Sequence, residues 1–183
     1  MGRLHFLSVI LGILFTSCVP FKNYYYDDNG ITKPKKPKFD LAKRPLPYQL
    51  KKTDLIDTNS VYINSFVLKY KDGSQKLNEK YLRFFNNGRS FFGINHTEIT
   101  NYKNFDTGWI GYYKIDNNNG IVIEEFRVYE VGKYVKMYGY IKNDSIFLFD
   151  RAYKDNNYPL PNENNCTIYI RKKIINLTGA ADW

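Results

Sequence analysis

From about residue 54 onward, apolar and polar positions alternate with a period of two, in short runs that turn residues separate. "KYLRFF" is joined by "NNG" to "RSFFGI", and "KYVKMYGYIK" is joined by "ND" to "SIFLF". A period of two is typical of β-strands, and Asn-Gly or Asp-Gly between such runs is a strong hairpin signal. The pattern predicts eight strands and no helix of comparable regularity.

Eight antiparallel strands in sequence order favour an all-β fold, either a meander barrel or a strongly curled sheet. Most of the connections are short, and longer ones are expected at residues 95–107 and 154–164. We place the β-barrel domain at residues 54–173 and a C-terminal tail at residues 174–183. A chain of this length is sufficient for one hydrophobic core.

The sixth and seventh predicted strands carry large apolar side chains on both faces. In the sixth, one face holds Tyr134, Lys136, Tyr138 and Tyr140, and the other Val135, Met137, Gly139 and Ile141; in the seventh, Phe147 and Phe149 oppose Ile146 and Leu148. One face must fill the interior. Because monomers rarely expose large apolar patches, we expect the N-terminal segment, the C-terminal tail, a partner or a ligand to cover the other face.

The N-terminus has the pattern of a secretory signal. Arg3 precedes the apolar run "FLSVILGILF" at residues 6–15, which is too short for a bilayer that needs roughly 20 apolar residues. The following "FTSC" resembles the lipobox of bacterial lipoproteins, with Phe15 where that family prefers Leu. The resemblance implies a signal peptide at residues 1–17 and a lipid anchor, thioether-linked diacylglycerol with a further acyl chain such as palmitate, on Cys18. The open alternative is an ordinary signal peptide that is cut elsewhere.

The same resemblance bears on localisation. Gram-negative lipoproteins are sorted by the residues that follow the anchor cysteine, and Val19 rather than Asp implies the outer membrane. The acidic signal for surface export in Bacteroidetes lipoproteins is absent from "VPFKN", and Asp27 and Asp28 come too late in the chain. The expected location is therefore the outer membrane, with the protein facing the periplasm.

The net charge of +9 is concentrated in one segment. Lys33–Lys52 holds eight basic residues and one acidic residue, whereas residues 53–183 hold 17 basic and 15 acidic residues. Residues 18–53 also contain five of the seven prolines, which predicts a disordered, extended tether that holds the domain tens of ångströms from the membrane. The tether either attracts an anionic envelope surface or is a solvated spacer. A nucleic-acid partner is excluded because it does not fit the compartment.

Four strand segments carry a second resemblance. "DTNSVYI" at 57–63, "YLRFFNNGRSF" at 81–91, "GYYKI" at 111–115 and "YGYIKNDSIFLF" at 138–149 are similar to segments of small Bacteroidetes envelope proteins. Those proteins are expected to form lipocalin-like β-barrels. The resemblance implies a fold and no activity, and the Gly-x-Trp signature of true lipocalins is absent before the first strand.

The sequence contains little that points to catalysis. His96 is the only histidine beyond the predicted signal, and the chain has no Cys-x-x-Cys, Gly-x-Ser-x-Gly or P-loop. Glu124 and Glu125 are adjacent on one strand, so their side chains point to opposite faces. Cys166 is expected to be a buried, inert thiol. We predict no enzyme, no catalytic residue, no cofactor and no metal.

The predicted function is the non-catalytic binding of a small apolar or amphiphilic ligand in the barrel. The predicted wall residues are aromatic and the predicted polar anchors are arginines: Trp109, Tyr113, Phe126, Tyr138 and Tyr140, with Arg83 and Arg127. The alternative is a structural or accessory module that docks on another envelope protein. Ligand binding requires a cavity of roughly 300 Å³ or more, whereas docking requires a filled barrel with an exposed apolar face.

Overall fold

A computed structural model describes residues 22–28, 30–43, 47–95, 102, 108–128, 132–149, 166–175, 177, 181 and 183. It has ten strands: β1 (Tyr24–Tyr26), β2 (Thr32–Pro34), β3 (Ser60–Lys69), β4 (Gln75–Phe84), β5 (Arg89–Asn95), β6 (Gly108–Ile115), β7 (Gly120–Arg127), β8 (Lys133–Lys142), β9 (Ser145–Phe149) and β10 (Cys166–Lys173). In the part of the chain that is described, every regular element is a strand.

Strands β3 to β10 form a closed, eight-stranded antiparallel barrel. Each pairs with the next along the chain, and β10 pairs back with β3 at Ile170↔Ile63. Closure removes the free sheet edges that an open sheet would leave. The predicted all-β, lipocalin-like barrel is confirmed.

The barrel interior is filled by one alternating set of side chains from all eight strands. The buried members of this set are Tyr62, Leu82, Phe84, Phe92, Tyr113, Ile115, Ile121, Ile123, Ile141, Ile146, Leu148 and Tyr169. The two faces predicted for β8 and β9 are both present. Ile141 and Ile146 point inward, while Tyr140 and Phe147 stack on the outside with ring centroids 4.6 Å apart.

One end of the barrel is closed by the segment that precedes β3. Tyr48 packs edge-on against Tyr113 with ring centroids 5.6 Å apart, and the Leu50 amide donates to the carbonyl of Asn86 at 3.1 Å. Gly88 has a φ of +76°, and a Cβ there would lie 2.2 Å from the Tyr48 carbonyl oxygen. Only glycine fits this turn, because any other residue would force the closing segment off the barrel.

The N-terminal segment lies on the outer face of the barrel. β1 and β2 form a hairpin, and β2 runs parallel to β6 at Thr32↔Trp109. Phe39 is buried between Tyr112 and Tyr134, 4.9 Å from each ring. The prediction of a disordered tether is therefore wrong for the described residues 22–43.

The physical reason is that apolar side chains are interspersed among the lysines and prolines. Tyr24, Ile31 and Phe39 are all buried and belong to one outer core cluster. Their burial offsets the entropy of ordering a proline-rich chain, whose φ angles are already restricted. Lys35, Lys36 and Lys38 stay exposed, while the half-buried Lys33 forms an ion pair with Asp27 at 2.9 Å.

The C-terminal tail also packs on the outer face. The Trp183 ring lies 5.7 Å from Phe85 and 6.4 Å from Phe91, and Arg89 donates to the carbonyl of Ala181 at 2.5 Å. Together with the N-terminal segment, the tail covers much of the second apolar face. For β8, the expected cover is found at Tyr134 and Lys136, which contact Phe39 and Asp40 of the segment.

The outward face of β10 corrects a further prediction. Cys166 is half-buried rather than buried, and Ile168 and Ile170 on the same face are exposed. This face is apolar, but Tyr169 on the opposite face fills the barrel interior instead. His96 and Cys18 lie outside the described residues. No helix among the described residues has the length and apolar character to cross a membrane.

Candidate ligand-binding site at the open end of the barrel

A cavity of about 230 Å³ opens at the barrel end opposite the closing segment. Its wall combines aromatic and aliphatic side chains with cationic and hydroxyl groups: Phe92, Ile94, Trp109, Val135, Met137, Leu148, Phe149 and Tyr169, with Lys80, Arg127, Lys136 and Thr167. Ligand pockets in small barrels likewise combine apolar side chains with polar groups. A second hollow, between residues 37–43 and Tyr112, lies on the outside and is more open.

The Arg127 guanidinium is held over an aromatic platform at this cavity. Trp109 and Phe92 stack with centroids 4.8 Å apart, and the guanidinium carbon lies 5.3 Å from the first ring and 5.9 Å from the second. Its Nη2 also lies 2.9 Å from the Met137 sulfur. Stacking over aromatic faces fixes a planar cation in one orientation, so the site holds a pre-positioned positive charge.

Glu125 pairs with this arginine from deeper in the barrel. The Arg127 Nε donates to Glu125 Oε2 at 3.0 Å, and the carboxyl group is almost fully buried. Among the described residues, Glu125 Oε1 meets no hydrogen-bond donor. Burial raises the pKa of Glu125 to about 7, against the opposing effect of the Arg127 cation. Below that pH, the carboxyl is neutral and the positive charge of the arginine is uncompensated.

Among the described side chains around the mouth of the cavity, positive charges outnumber negative ones. Lys80 lies on the inward row of β4, with its Nζ 4.9 Å from the Phe66 ring centroid. The Lys136 ammonium, in contrast, binds Asp40 of the N-terminal segment at 2.6 Å, which helps to lower the pKa of that carboxyl to about 2. Among the described residues around the cavity, beside the Lys136–Asp40 pair, Arg127 and Lys80 supply two cations and Glu125 supplies one carboxyl. This balance favours a ligand with an anionic or electron-rich group.

Two of the seven predicted site residues, Trp109 and Arg127, line the cavity. Tyr113 is inside the barrel but at its closed end, where its hydroxyl donates to the carbonyl of Phe85 at 2.9 Å and burial raises its pKa. Its role there is to fill the core.

The other four predicted residues lie on the outer face. Phe126 packs on Tyr134 beneath the N-terminal segment, with centroids 5.1 Å apart. Tyr138 and Tyr140 share the outward row of β8. Arg83 is buried outside the barrel, where it donates to the carbonyl of Tyr102 at 3.3 Å and burial lowers its pKa. The structure does not bring these four residues to the cavity.

Three parts of the site were not predicted from the sequence: Glu125, Phe92 and Met137. A usable signal was the "EEFR" stretch, because residues two apart on a strand share a face and Glu125 and Arg127 have opposite charges. The opposite orientation of Glu124 is confirmed, since its carboxylate points outward and accepts from the Leu41 amide at 2.8 Å.

Within the described residues, no three His, Cys, Asp or Glu side chains are grouped closely enough to hold a metal ion. No protein-family model, curated protein or solved structure matches this chain. Assignment of function therefore depends on the geometry of the cavity.

Proposed function

We propose that this protein is a cell-envelope lipoprotein whose barrel binds one small amphiphilic ligand, without converting it chemically. The observation that carries the proposal is the Arg127 guanidinium, stacked on Trp109 and Phe92 at the mouth of a cavity lined by apolar and cationic side chains. The apolar wall would take the hydrocarbon part of the ligand, and the guanidinium would bind its polar group.

The cavity volume limits the size of the ligand. About 230 Å³ is below the roughly 300 Å³ at which pockets for drug-sized ligands begin, but above the roughly 150 Å³ that accommodates benzene. A single ring or a short acyl chain fits this range. A larger amphiphile would leave part of its chain outside the barrel mouth.

Fluorescence titration of a single-tryptophan chain tests this binding. The chain has two tryptophans, so Trp183→Phe leaves Trp109 as the reporter at the cavity. We expect octanoate to bind more tightly than octanol, and octanol more tightly than octylammonium. Arg127→Met should weaken octanoate about 10- to 100-fold, because a hydrogen bond to a charged group contributes about 1.5–3 kcal/mol.

Arg171→Met is the matched control. Arg171 is paired with Asp144 near the β8–β9 turn, at the closed end of the barrel, so its loss should leave octanoate affinity unchanged. No binding of any of the three compounds would refute the proposal. Equal octanoate affinities in the chains with and without Arg127→Met would refute the role of the guanidinium.

The envelope part of the proposal depends on Cys18. Its support is the apolar run followed by "FTSC", which resembles a lipobox. In a Gram-negative host, the mature protein should have a mass that begins at Cys18 and includes two or three acyl chains, and it should fractionate with the outer membrane. Cys18→Ser should remove the acyl chains and the fractionation with the outer membrane. A mature chain that lacks lipid and begins at another residue would contradict the anchor.

The docked N-terminal segment changes the expected distance between barrel and membrane. With Cys18 as the anchor, only residues 18–21 precede the described segment, and four extended residues span at most about 14 Å. The barrel would then lie beside the bilayer, on its periplasmic side, rather than tens of ångströms away. Lys35, Lys36 and Lys38 are exposed and available to anionic headgroups.

A second candidate function is docking on another envelope protein. The observation that favours it is the stacked Tyr140–Phe147 pair on the outer face, beside exposed Ile168 and Ile170. If this is the function, a photo-crosslinking residue at position 147 captures a defined envelope protein in cells, and the ligand titrations show no binding.

A further inference from the structure

Strands β3 and β4 extend beyond their described pairings with the rest of the barrel. Among the described residues, β10 pairs with β3 at Ser60–Ile63, and β5 pairs with β4 at Glu79–Phe84. The two strands nevertheless pair with each other as far as Lys69↔Gln75. Residues 65–78, which we call the β3–β4 tip, therefore form a two-stranded ribbon past the neighbouring strands.

The tip has an ordered turn. The Asp72 carboxylate accepts from the Ser74 amide at 2.9 Å and from the Ser74 hydroxyl at 2.6 Å. Gly73 has a φ of +82°, which this turn requires and which few other residues adopt. The side chains of the ribbon are thus presented in a defined arrangement.

Exposed apolar side chains are concentrated on the tip. Four of the ten large exposed hydrophobic residues in the described chain lie here: Val67 at 52%, Leu68 at 39%, Tyr70 at 50% and Leu77 at 64% exposure. Val67 and Leu77 are cross-strand neighbours on the outward face, and alternation places Leu68 on the other face. Both faces of the ribbon are therefore apolar and exposed to solvent.

The tip is also basic. Lys69, Lys71 and Lys76 are all exposed, and the only acidic residue is Asp72, whose carboxylate is engaged in the turn. Lysine stems can lie along apolar surface while their ammonium groups reach a polar layer, and tyrosine places its hydroxyl at such a boundary. This combination is complementary to a negatively charged surface that has an apolar interior.

We propose that the β3–β4 tip inserts into the headgroup layer of an anionic membrane leaflet, with its apolar side chains below the lipid phosphates and its lysines bound to them. A lipid layer surrounds an inserted ribbon and covers both faces, whereas a flat protein surface would cover one. Isolated two-stranded ribbons are marginally stable in water, so immersion would also stabilise the tip.

Insertion would orient the barrel. Lys80 follows the tip on β4 and belongs to the wall of the open-end cavity. The tip therefore leaves the barrel at the same end as the cavity, and its insertion turns the cavity mouth toward the bilayer. The inference does not depend on the ligand proposal or on the anchor, because it rests only on the exposed residues of β3 and β4.

Vesicle co-sedimentation tests the inference with the chain from residue 18 onward, carrying Cys18→Ser so that no lipid anchor contributes. We expect partitioning into vesicles of phosphatidylglycerol and phosphatidylcholine, and weak partitioning into phosphatidylcholine alone. Val67→Ser with Leu77→Ser should lower the partition coefficient at least about tenfold. The triple variant Lys69→Gln, Lys71→Gln and Lys76→Gln should also lower the partition coefficient at least about tenfold. In this variant, partitioning should no longer depend on salt concentration.

Matched control variants carry the same kinds of substitution at exposed residues outside the tip. Leu55→Ser with Ile175→Ser replaces two exposed apolar residues, and Lys51→Gln, Lys52→Gln and Lys114→Gln replace three exposed lysines. Both control sets should retain the partition coefficient. Failure of the unaltered chain to partition, or losses in the control sets as large as those in the tip variants, would overturn the proposal. Self-association that depends on Leu77 without any vesicle binding would assign the tip to a second copy of the chain instead.

Discussion

The Arg127–Glu125 pair is the least expected feature at the scale of single residues, because barrel interiors of this size are usually apolar. A buried ion pair gains little net stability, since desolvation offsets the attraction of the two charges. Its value lies in orientation: Glu125 and the stacked Trp109 and Phe92 fix one cation at the cavity. A buried ion pair that costs desolvation free energy serves a purpose beside a binding cavity, where it orients a charge. A filled core would have no need of it.

Glu125 gives a pH-dependent contribution to stability. Folding raises its pKa from 4.5 to about 7, so the folded chain binds more protons than the unfolded chain between these values. The free energy of unfolding should therefore fall as the pH rises from about 4.5 to 7, by about 3 kcal/mol for this group. Urea unfolding at a series of pH values measures this change in the free energy of unfolding. Glu125→Gln should remove the contribution of this group to the slope of that free energy against pH.

Two further variants test the assignment of this pH dependence to Glu125. Arg127→Met removes the cation that lowers the pKa of Glu125, so the midpoint should move to higher pH. Asp40→Asn should leave the slope between pH 4.5 and 7 unchanged, because its ion pairs lower the pKa of Asp40 to about 2 and its contribution is lost only in stronger acid. A slope that is the same with and without Glu125→Gln would contradict the assignment.

At the scale of elements, the N-terminal segment and the C-terminal tail belong to the folded unit. The outward faces of β5, β6 and β7 are as apolar as the interior, and Ile31, Phe39 and Trp183 cover them. This explains how the outward faces of these three strands are kept from solvent. The segment also sets the outer environment of Glu124, whose carboxylate accepts from the Leu41 amide.

Phe39→Ala should detach this segment. The ring is buried between Tyr112 and Tyr134, and removal of a buried Phe side chain costs about 3–5 kcal/mol where the site cannot collapse. We expect the lysines of residues 33–43 to become accessible to trypsin in limited proteolysis, while the barrel stays resistant. Tyr26→Ala removes a ring that is 60% exposed and should leave the digestion pattern unchanged. Equal cleavage in the unaltered chain would show that the segment is not docked.

At the scale of the whole molecule, the two ends of the barrel differ. Tyr48, Leu50 and Tyr113 close one end, while the cavity and the β3–β4 tip occupy the other. A closed end excludes water from the deep core, and an open end gives access to a ligand. If the tip inserts into a leaflet as proposed, an amphiphile would pass between bilayer and barrel without crossing bulk water, because the tip and the cavity share an end. The vesicle and fluorescence measurements test the two components separately.

The sequence by itself determined the strands and their alternation. A period of two and turn residues such as Asn-Gly are local properties, so the eight barrel strands and the opposite orientations of Glu124 and Glu125 could be predicted. Of the seven site residues chosen from the pattern, Trp109 and Arg127 line the cavity. The pattern could not distinguish Arg127 from Arg83, because both are arginines on amphipathic strands, and only barrel closure places one inside and the other outside.

Tertiary structure decided what depends on distance and volume. On β8 both faces are apolar, and the inward face is the one with Gly139, where a Cβ would lie 2.0 Å from the Phe147 carbonyl oxygen. Burial of Phe39 needed rings from β6 and β8, more than 70 residues away in the chain. The composition of that segment shows its lysines and prolines, but it gives no information on the outer face of the barrel against which the segment packs. The cavity has the same origin, because its volume is the space that side chains from seven of the eight barrel strands leave unfilled, and no single strand encodes it.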